Sequence, residues 1–287
     1  MNFAIITDST CDLPKEVLES MKVERVPLYV SFEGKTHKDW EEITPEVIVK
    51  GVQSGSNLPT TSQPSPQDFE AVYREAIEGG AEHILVLTIS SELSGTYQSA
   101  SIAADSVDVP VTVFDSRAAS VGLGNMVELA ARMRDEGKSA EDTVKQLERV
   151  RETSLPFFTV ATLEFLQKGG RIGRASALLG SLLNIKPILS LEDGKIIPSG
   201  KARGNKKAVA EMIANVRRHL EKYPGKPYIT FLHVTDREAG EKLRQAVEQA
   251  GIEYDGGELY EVGAVIASHV GPGTYGMYLY VQSPDEA

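Results

Sequence analysis

Short apolar runs alternate with helical patterns through the first half of the chain. "FAIIT" (3–7), "RVPLYVSF" (25–32), "HILVLTI" (83–89) and "PVTVFD" (110–115) read as strands. Between them, "SPQDFEAVYREAIEGG" opens as a helix should. Ser65 stands at the N-cap, Pro66 at the first helical position and Asp68 at the third, a pattern like a capping box. Helical periodicity returns over 117–137 and again in "SAEDTVKQLERVRE", which opens on Ser139 with Asp142 three residues on. Strands alternating with helices predict a mainly parallel sheet covered on both faces.

After residue 154 the rhythm changes. "LPFFTVATL", "IKPILSLEDGKIIPSGKAR" and "KPYITFLHV" bring strands close together, and Asp193-Gly194 marks a hairpin turn. Helices at about 205–223 and 236–250 follow, then strands near 252–260 and 276–282. The expected architecture is α/β in two domains. Residues 1–154 form a three-layer α/β/α domain with a mainly parallel sheet, and 155–287 form an α+β domain with a mixed sheet.

Composition narrows the function classes. The 41 acidic and 30 basic side chains leave a net charge of -11, which argues against non-specific nucleic-acid binding, since that depends on Lys and Arg neutralising phosphates. A single cysteine, Cys11, excludes an intramolecular disulfide and a cysteine-rich metal site. "MNFAIITDST" enters a strand without a charged and apolar leader, and no apolar run approaches the length of a membrane span. A cytoplasmic protein is expected.

Several stretches carry candidate chemistry. "TISSELSGTYQSA" (88–100) runs from a buried strand through a small-residue loop into a helix start, where unpaired N–H groups and the helix dipole favour an anion. The plainer reading is that Ser94 only caps the helix. "LPTTSQPSP" (58–66) presents Thr60, Thr61 and Ser62 on a loop stiffened by Pro59, Pro64 and Pro66, or serves as a linker into the Ser65 cap. "ASHVGPGTYG" contains a formal G-x-G-x-x-G at Gly271, Gly273 and Gly276. A strand follows where a dinucleotide fingerprint needs a helix, so these glycines read as a tight turn behind His269. Lys168, Arg171 and Arg174 form one basic group, and Lys201, Arg203, Lys206 and Lys207 another. They suit an anionic ligand, an acidic partner surface, or plain solvation.

Other enzyme patterns fail on spacing. "GKS" at 137–139 has Arg132 where a P-loop needs its first glycine, and Glu92 stands where a nucleophile elbow needs glycine before Ser94. His37, His83, His219, His233 and His269 show no paired metal spacing, so no metal is expected.

Taken in order, these segments resemble the DegV family of fatty-acid-binding proteins, which serve bacterial fatty-acid kinases. The resemblance rests on "ITDSTCDLP", "VPLYVSF", "TTSQPSPQDF", "TISSELSGTYQSA", "FDSRAASVGLG", "FLQKGGRIGRASALLGSLLNIKPIL", "DGKIIPSGKARGNKKA" and "HVGPGTYG". It covers most of the chain and is loosest over 36–50. It implies two α/β domains with an apolar tunnel between them for one long-chain fatty acid. The carboxylate would be held by Thr61, Ser94 and His269, with Ser62 and Gly95 in the same loops. Arg171 and Arg203 would lie near the head group or the kinase-facing side. The chain would supply no catalytic residue and need no cofactor beyond its fatty-acid ligand. The implied partner is a fatty-acid kinase that phosphorylates the presented carboxylate. Transient membrane-surface contact for lipid exchange stays open. So do two rivals: a standalone serine hydrolase or acyltransferase using Ser94 and His269, and a lipid-sensing regulatory protein.

Overall fold

The computed structural model describes residues 3–180 and 185–282. The strands of the first half are β1 (Phe3–Asp8), β2 (Val23–Val26), β3 (Tyr29–Phe32), β4 (Lys35–Lys38), β5 (Thr60–Ser62), β6 (His83–Thr88) and β7 (Val111–Asp115). Those of the second half are β8 (Leu155–Thr159), β9 (Lys186–Glu192), β10 (Lys195–Ala202), β11 (Pro227–His233), β12 (Asp255–Glu261) and β13 (Tyr275–Val281). The helices up to the chain midpoint are α1 (Lys15–Ser20), α2 (Pro45–Gln53), α3 (Pro66–Glu78), α4 (Thr96–Ala104) and α5 (Val121–Asp135). They are followed by α6 (Ala140–Thr153), α7 (Glu164–Lys168), α8 (Asn205–Lys222), α9 (Arg237–Gln249) and α10 (Ala264–Val270).

β2-β1-β6-β7 form a parallel four-stranded sheet. Its two faces can be read residue by residue, because side chains alternate along a strand. Phe3, Ile5, Leu85 and Leu87 enter one core with Leu123, Val127 and Leu147 of α5 and α6. Ile6, Ile84 and Val86 enter the other with Phe69 and Tyr73 of α3 and Ala100 and Ala103 of α4. Both expected caps form. The Asp68 amide donates to Ser65 Oγ at 3.2 Å and the Ser65 amide donates to Asp68 Oδ2 at 2.7 Å. The Asp142 amide donates to Ser139 Oγ at 3.1 Å.

The strand expected over 25–32 is two strands in different sheets. Pro27 separates them; it lacks an N–H for the ladder and fixes φ, so the chain leaves the parallel sheet there. Beyond it, β3 pairs antiparallel with β4 and with β5, making a small sheet of order β4-β3-β5. Residues 60–62 are therefore a strand rather than a loop, with Thr61 opposite Val30. The helix expected over 117–137 begins later, at Val121.

The second half builds a mixed sheet, β10-β9-β8-β13-β11-β12, in which only β11 and β12 are parallel neighbours. Asp193 and Gly194 join β9 to β10 with φ of 49° and 78°, as a tight hairpin requires. Phe157, Ile229, Phe231 and Met277 on one face pack against Met212 and Val216 of α8 and Leu243 and Val247 of α9. The opposite face looks toward the first half. There α5, buried over Val121–Val127, lies against β1 and β6 on one side and β11 and β13 on the other. The stretch 165–189 used for the resemblance runs through 181–184, which lie outside the described residues. Among the described residues no helix is long and apolar enough to cross a membrane.

Candidate functional site

A cavity of about 400 Å³ opens between the loops that follow the parallel strands and the inward face of the mixed sheet. Its wall is largely apolar, with Leu28 and Ile89 from the first half and Phe158, Leu191, Leu232 and Tyr278 from the second. Thr61, Ser62, Ser94, Arg171 and His269 line the same cavity. A second cavity of about 420 Å³ adjoins it, lined by Asn57, Thr60, Lys168, Gly169 and Ser268 among others. Thr61, Arg171 and His269 belong to both walls, so they form the partition between an apolar chamber and a polar one.

Thr61 and His269, 208 positions apart, meet at 2.7 Å between Oγ1 and Nε2. Burial, followed by the nearby Arg171 charge, pushes the imidazole down to about 4, so it is neutral at pH 7. A neutral ring donates from one nitrogen and accepts at the other. His269 Nδ1 is buried without a hydrogen-bond partner and lies against Gly169. A Cβ built at Gly169 would sit 2.4 Å from that nitrogen, so the glycine is what lets the ring approach. Arg171 donates from Nε to the Leu93 carbonyl at 3.0 Å and from Nη1 to the Gly169 carbonyl at 2.7 Å. Its guanidinium is thereby held by main chain on both sides of the partition.

Ser94 does not cap α4 with its side chain. Gly95 occupies the N-cap position, and the Ser94 and Thr96 hydroxyls pair with each other at 2.9 Å. Gly95 lies outside the cavity lining but serves it. A Cβ there would fall 2.1 Å from Gln63 Oε1, and Gln63 Nε2 donates to Ser99 Oγ at 3.2 Å. The close contact locks the TSQP segment onto the LSGT segment. Ser94 and His269 are not hydrogen-bonded to each other; the nitrogen a hydrolase would aim at Ser94 engages Thr61 instead.

The basic groups separate. Arg174 pairs with Glu192, and Lys168 pairs with Glu164 at 2.7 Å on the exposed side. Arg203 is exposed just after β10, at the end remote from the Asp193-Gly194 turn, and lines neither cavity. The structure thus brings Arg171 to the hydroxyls and leaves Arg203 on the outer surface. Among the described residues, no group of His, Cys, Asp and Glu could hold a metal ion.

Sequence reading missed α10 itself, placing His269 before a turn without a helix beneath it. It also missed three buried carboxylates. Asp8 accepts from the Ile89 amide at 2.7 Å, tying β1 to the end of β6. Asp12 accepts from Ser120 Oγ at 2.6 Å and from the Gly263 amide at 2.8 Å. Asp39 accepts from Ser9 Oγ at 2.8 Å and from the Val265 amide at 3.2 Å. Burial pushes Asp8 and Asp39 up to about 6 and raises Asp12 well above its ordinary value, the hydrogen bonds opposing the shift in each case. The available signal was the spacing of Asp8 and Asp12 in "TDSTCD", too dense in acid for a buried turn without a task.

A family model described as an uncharacterised protein of the DegV family matches residues 2–282. The chain belongs to the DegV family. A Thermotoga maritima relative described as a fatty acid-binding protein is 36% identical over 287 residues, covering 98% of each chain. A Thermus thermophilus DegV protein, whose structure is described as showing fatty acid binding, superposes with a TM-score of 0.95 at 48% identity. The match covers 98% of this chain and 100% of that one. A stearic acid-binding protein from Eubacterium ventriosum matches with a TM-score of 0.89 at 30% identity, covering 97% and 98%. The α/β architecture of this DegV chain, with its parallel and mixed sheets, is the architecture of those structures.

Proposed function

We propose that this DegV protein binds one long-chain fatty acid in the apolar chamber. Its carboxylate lies at Thr61, Ser94 and His269 and is presented to a separate ATP-dependent kinase that forms the acyl phosphate. One observation carries the reading: the apolar cavity ends at a Thr–His pair that is also the floor of a polar cavity. The tail has an apolar wall along its length, while the head reaches a polar chamber where a phosphoryl donor would approach. The fatty-acid-binding relatives share this fold over nearly the whole chain.

Burying about 15 methylenes at about 0.8 kcal/mol each gives roughly 12 kcal/mol gross, before the costs of association. The tail therefore supplies affinity, and the head contacts set orientation. An ionised carboxylate only accepts hydrogen bonds, so hydroxyls, a donor imidazole nitrogen and the Arg171 guanidinium suit it. The carboxylate oxygen would attack the γ-phosphorus of ATP on the kinase, with ADP leaving, and this chain contributes positioning. On this reading residues 1–154 and 155–287 are two domains closing on the tail. A kinase that uses ATP fits a cytoplasmic protein.

Native mass spectrometry of the purified protein, followed by extraction of any bound lipid, tests the first half of the reading. A protein that is empty and cannot be loaded overturns it. The second half is tested by adding a fatty-acid kinase and ATP. Ser94→Ala and His269→Ala should slow acyl-phosphate formation in folded protein, and unchanged turnover in both removes the head-group assignment.

A further inference from the structure

The seven-residue helix α10 carries His269 in its last turn, yet it is too short to hold its own position. Its apolar contacts come from three small clusters, one of them joined by Val270 at its last residue. Ala264 and Val265 pack on Val30 and Ile48, and Ala267 packs on Val262 and Val234. Such contacts are non-directional, and small apolar side chains let a helix slide or rotate at little cost. Two directional contacts hold its first turn, Asp12 to the Gly263 amide and Asp39 to the Val265 amide, while at the other end Thr61 meets His269 and the Thr274 hydroxyl donates to the Val270 carbonyl. These carboxylates complete amides that have no partner within the helix, and they sit at the favourable end of its dipole.

We propose that Asp12 and Asp39 are positioning residues for the head-group clamp, holding the start of α10 so that His269 meets Thr61. Val265 and His269 are four residues apart, so they lie one turn apart on the same helix face, and both line the apolar chamber. A shift at the Val265 amide therefore reappears at the imidazole with nearly the same direction and size.

The anchors are themselves fixed. The Asp39 carboxylate is bound by the Ser9 hydroxyl, which also accepts from the Leu28 amide at 3.0 Å. Asp12 lies at the end of the short 3-10 turn Ser9–Cys11, and its other oxygen takes the Ser120 hydroxyl. Ser120 stands at the N-cap position of α5 without capping it by its side chain, at φ of 57°, a backbone state that a non-glycine residue keeps only when its surroundings hold it. Ser120 also lines the chamber. Asp12 thus couples two parts of the chamber wall, and Asp39 ties the third, Leu28, to the helix of His269.

This inference rests on the carboxylate-clamp reading for its functional consequence, but not for its structural one. The test uses the full chain with Asp39→Ala, the conservative Asp39→Asn, and Asp12→Asn. Palmitate and methyl palmitate serve as probes, and the His269 ring is followed by NMR. Asp39→Ala should weaken palmitate about tenfold, as loss of a charge-assisted contact predicts, and change methyl palmitate less than about twofold. Asp39→Asn keeps an acceptor oxygen and should recover part of the loss. In Asp39→Ala the imidazole, neutral across pH 5–8 in the parent, should begin to titrate in that range.

If Asp39→Ala fails to fold, Asp39→Asn and Asp12→Asn carry the same expectations at smaller size, since each keeps one acceptor oxygen. Equal weakening of acid and ester overturns the proposal, and so does a His269 ring that titrates as in the parent in every folded variant. A parent protein that binds acid and ester equally defeats the clamp reading instead. The ring titration then still decides whether the two aspartates position His269.

Discussion

The two chambers that share Thr61, Arg171 and His269 are nearly equal in volume and differ in chemistry, the first largely apolar and the second of mixed polarity. The inner one is walled by side chains of the mixed sheet, such as Pro156 and Phe158 two positions apart, facing the loops that follow the parallel strands. The outer one is walled by the 57–61 segment, the start of the GGR turn and the last turn of α10, all short elements at chain reversals. On the proposed function, the difference separates affinity from reactivity. Apolar area accumulates along a rigid wall, whereas a reacting head group needs a few directional contacts beside an opening.

Filling the inner chamber should break this division most severely. Ala119→Trp, placed on its wall, should displace at least four methylenes and cost about 3 kcal/mol or more in fatty-acid affinity. Isothermal titration with the thermal midpoint as a control for folding checks it; full affinity in the variant would mean the tail lies elsewhere. Gly169→Ala acts on the partition instead. The added methyl must push the His269 ring away, which should cost about 1–3 kcal/mol in stability or head-group binding. Unaltered acid affinity together with an unaltered His269 NMR signal would mean the ring has another resting place.

The pH dependence sharpens the same point. The folded His269 is held near 4 against an ordinary 6.5, so below about pH 6.5 the unfolded chain binds a proton that the folded chain refuses. Stability contributed by this group is present at pH 7 and is lost as pH falls from about 6.5 toward 4. Relative to His269→Asn, the parent should lose about 0.7 kcal/mol between pH 7 and pH 6, read by denaturant unfolding at each pH. The raised Asp8 and Asp39 act in the opposite sense between about 4 and 6, gaining stability as pH falls, which is why the difference against the variant is needed. The smallest effect is expected at Arg203, which is exposed and outside both chambers. Arg203→Glu should leave fatty-acid loading unchanged and alter only transfer to the kinase; reduced loading would place it nearer the ligand than its surface position allows.

Strands, helices and their caps were legible wherever one local signal sufficed. β1 and β6 are apolar runs, and Ser65 and Ser139 cap where their Asp partners stand three residues on. The 25–32 segment misled because its apolar residues continue through Pro27, and sheet membership is decided by partners far away in the chain. α10 was unreadable for a related reason. Seven residues give barely two turns of periodicity, and its first-turn amides are completed by Asp12 and Asp39, which lie more than 200 positions upstream.

By itself the sequence determined the α/β class, the parallel and mixed sheets, the hairpin at Asp193-Gly194 and, through ordered motifs, the family and its expected head-group residues. Those properties follow from local periodicity, capping and turn chemistry, or from residue patterns that survive along the chain. Only the tertiary structure decided that Thr61 bonds His269, that Gly95 seats Gln63 instead of letting Ser94 act as the cap, and that Arg171 rather than Arg203 stands at the partition. Each of these is a contact between segments separated along the chain, made when β5, the loop before α4, the turn after α7 and α10 fold together. No spacing along the chain encodes the distance between side chains that only the closed fold brings together.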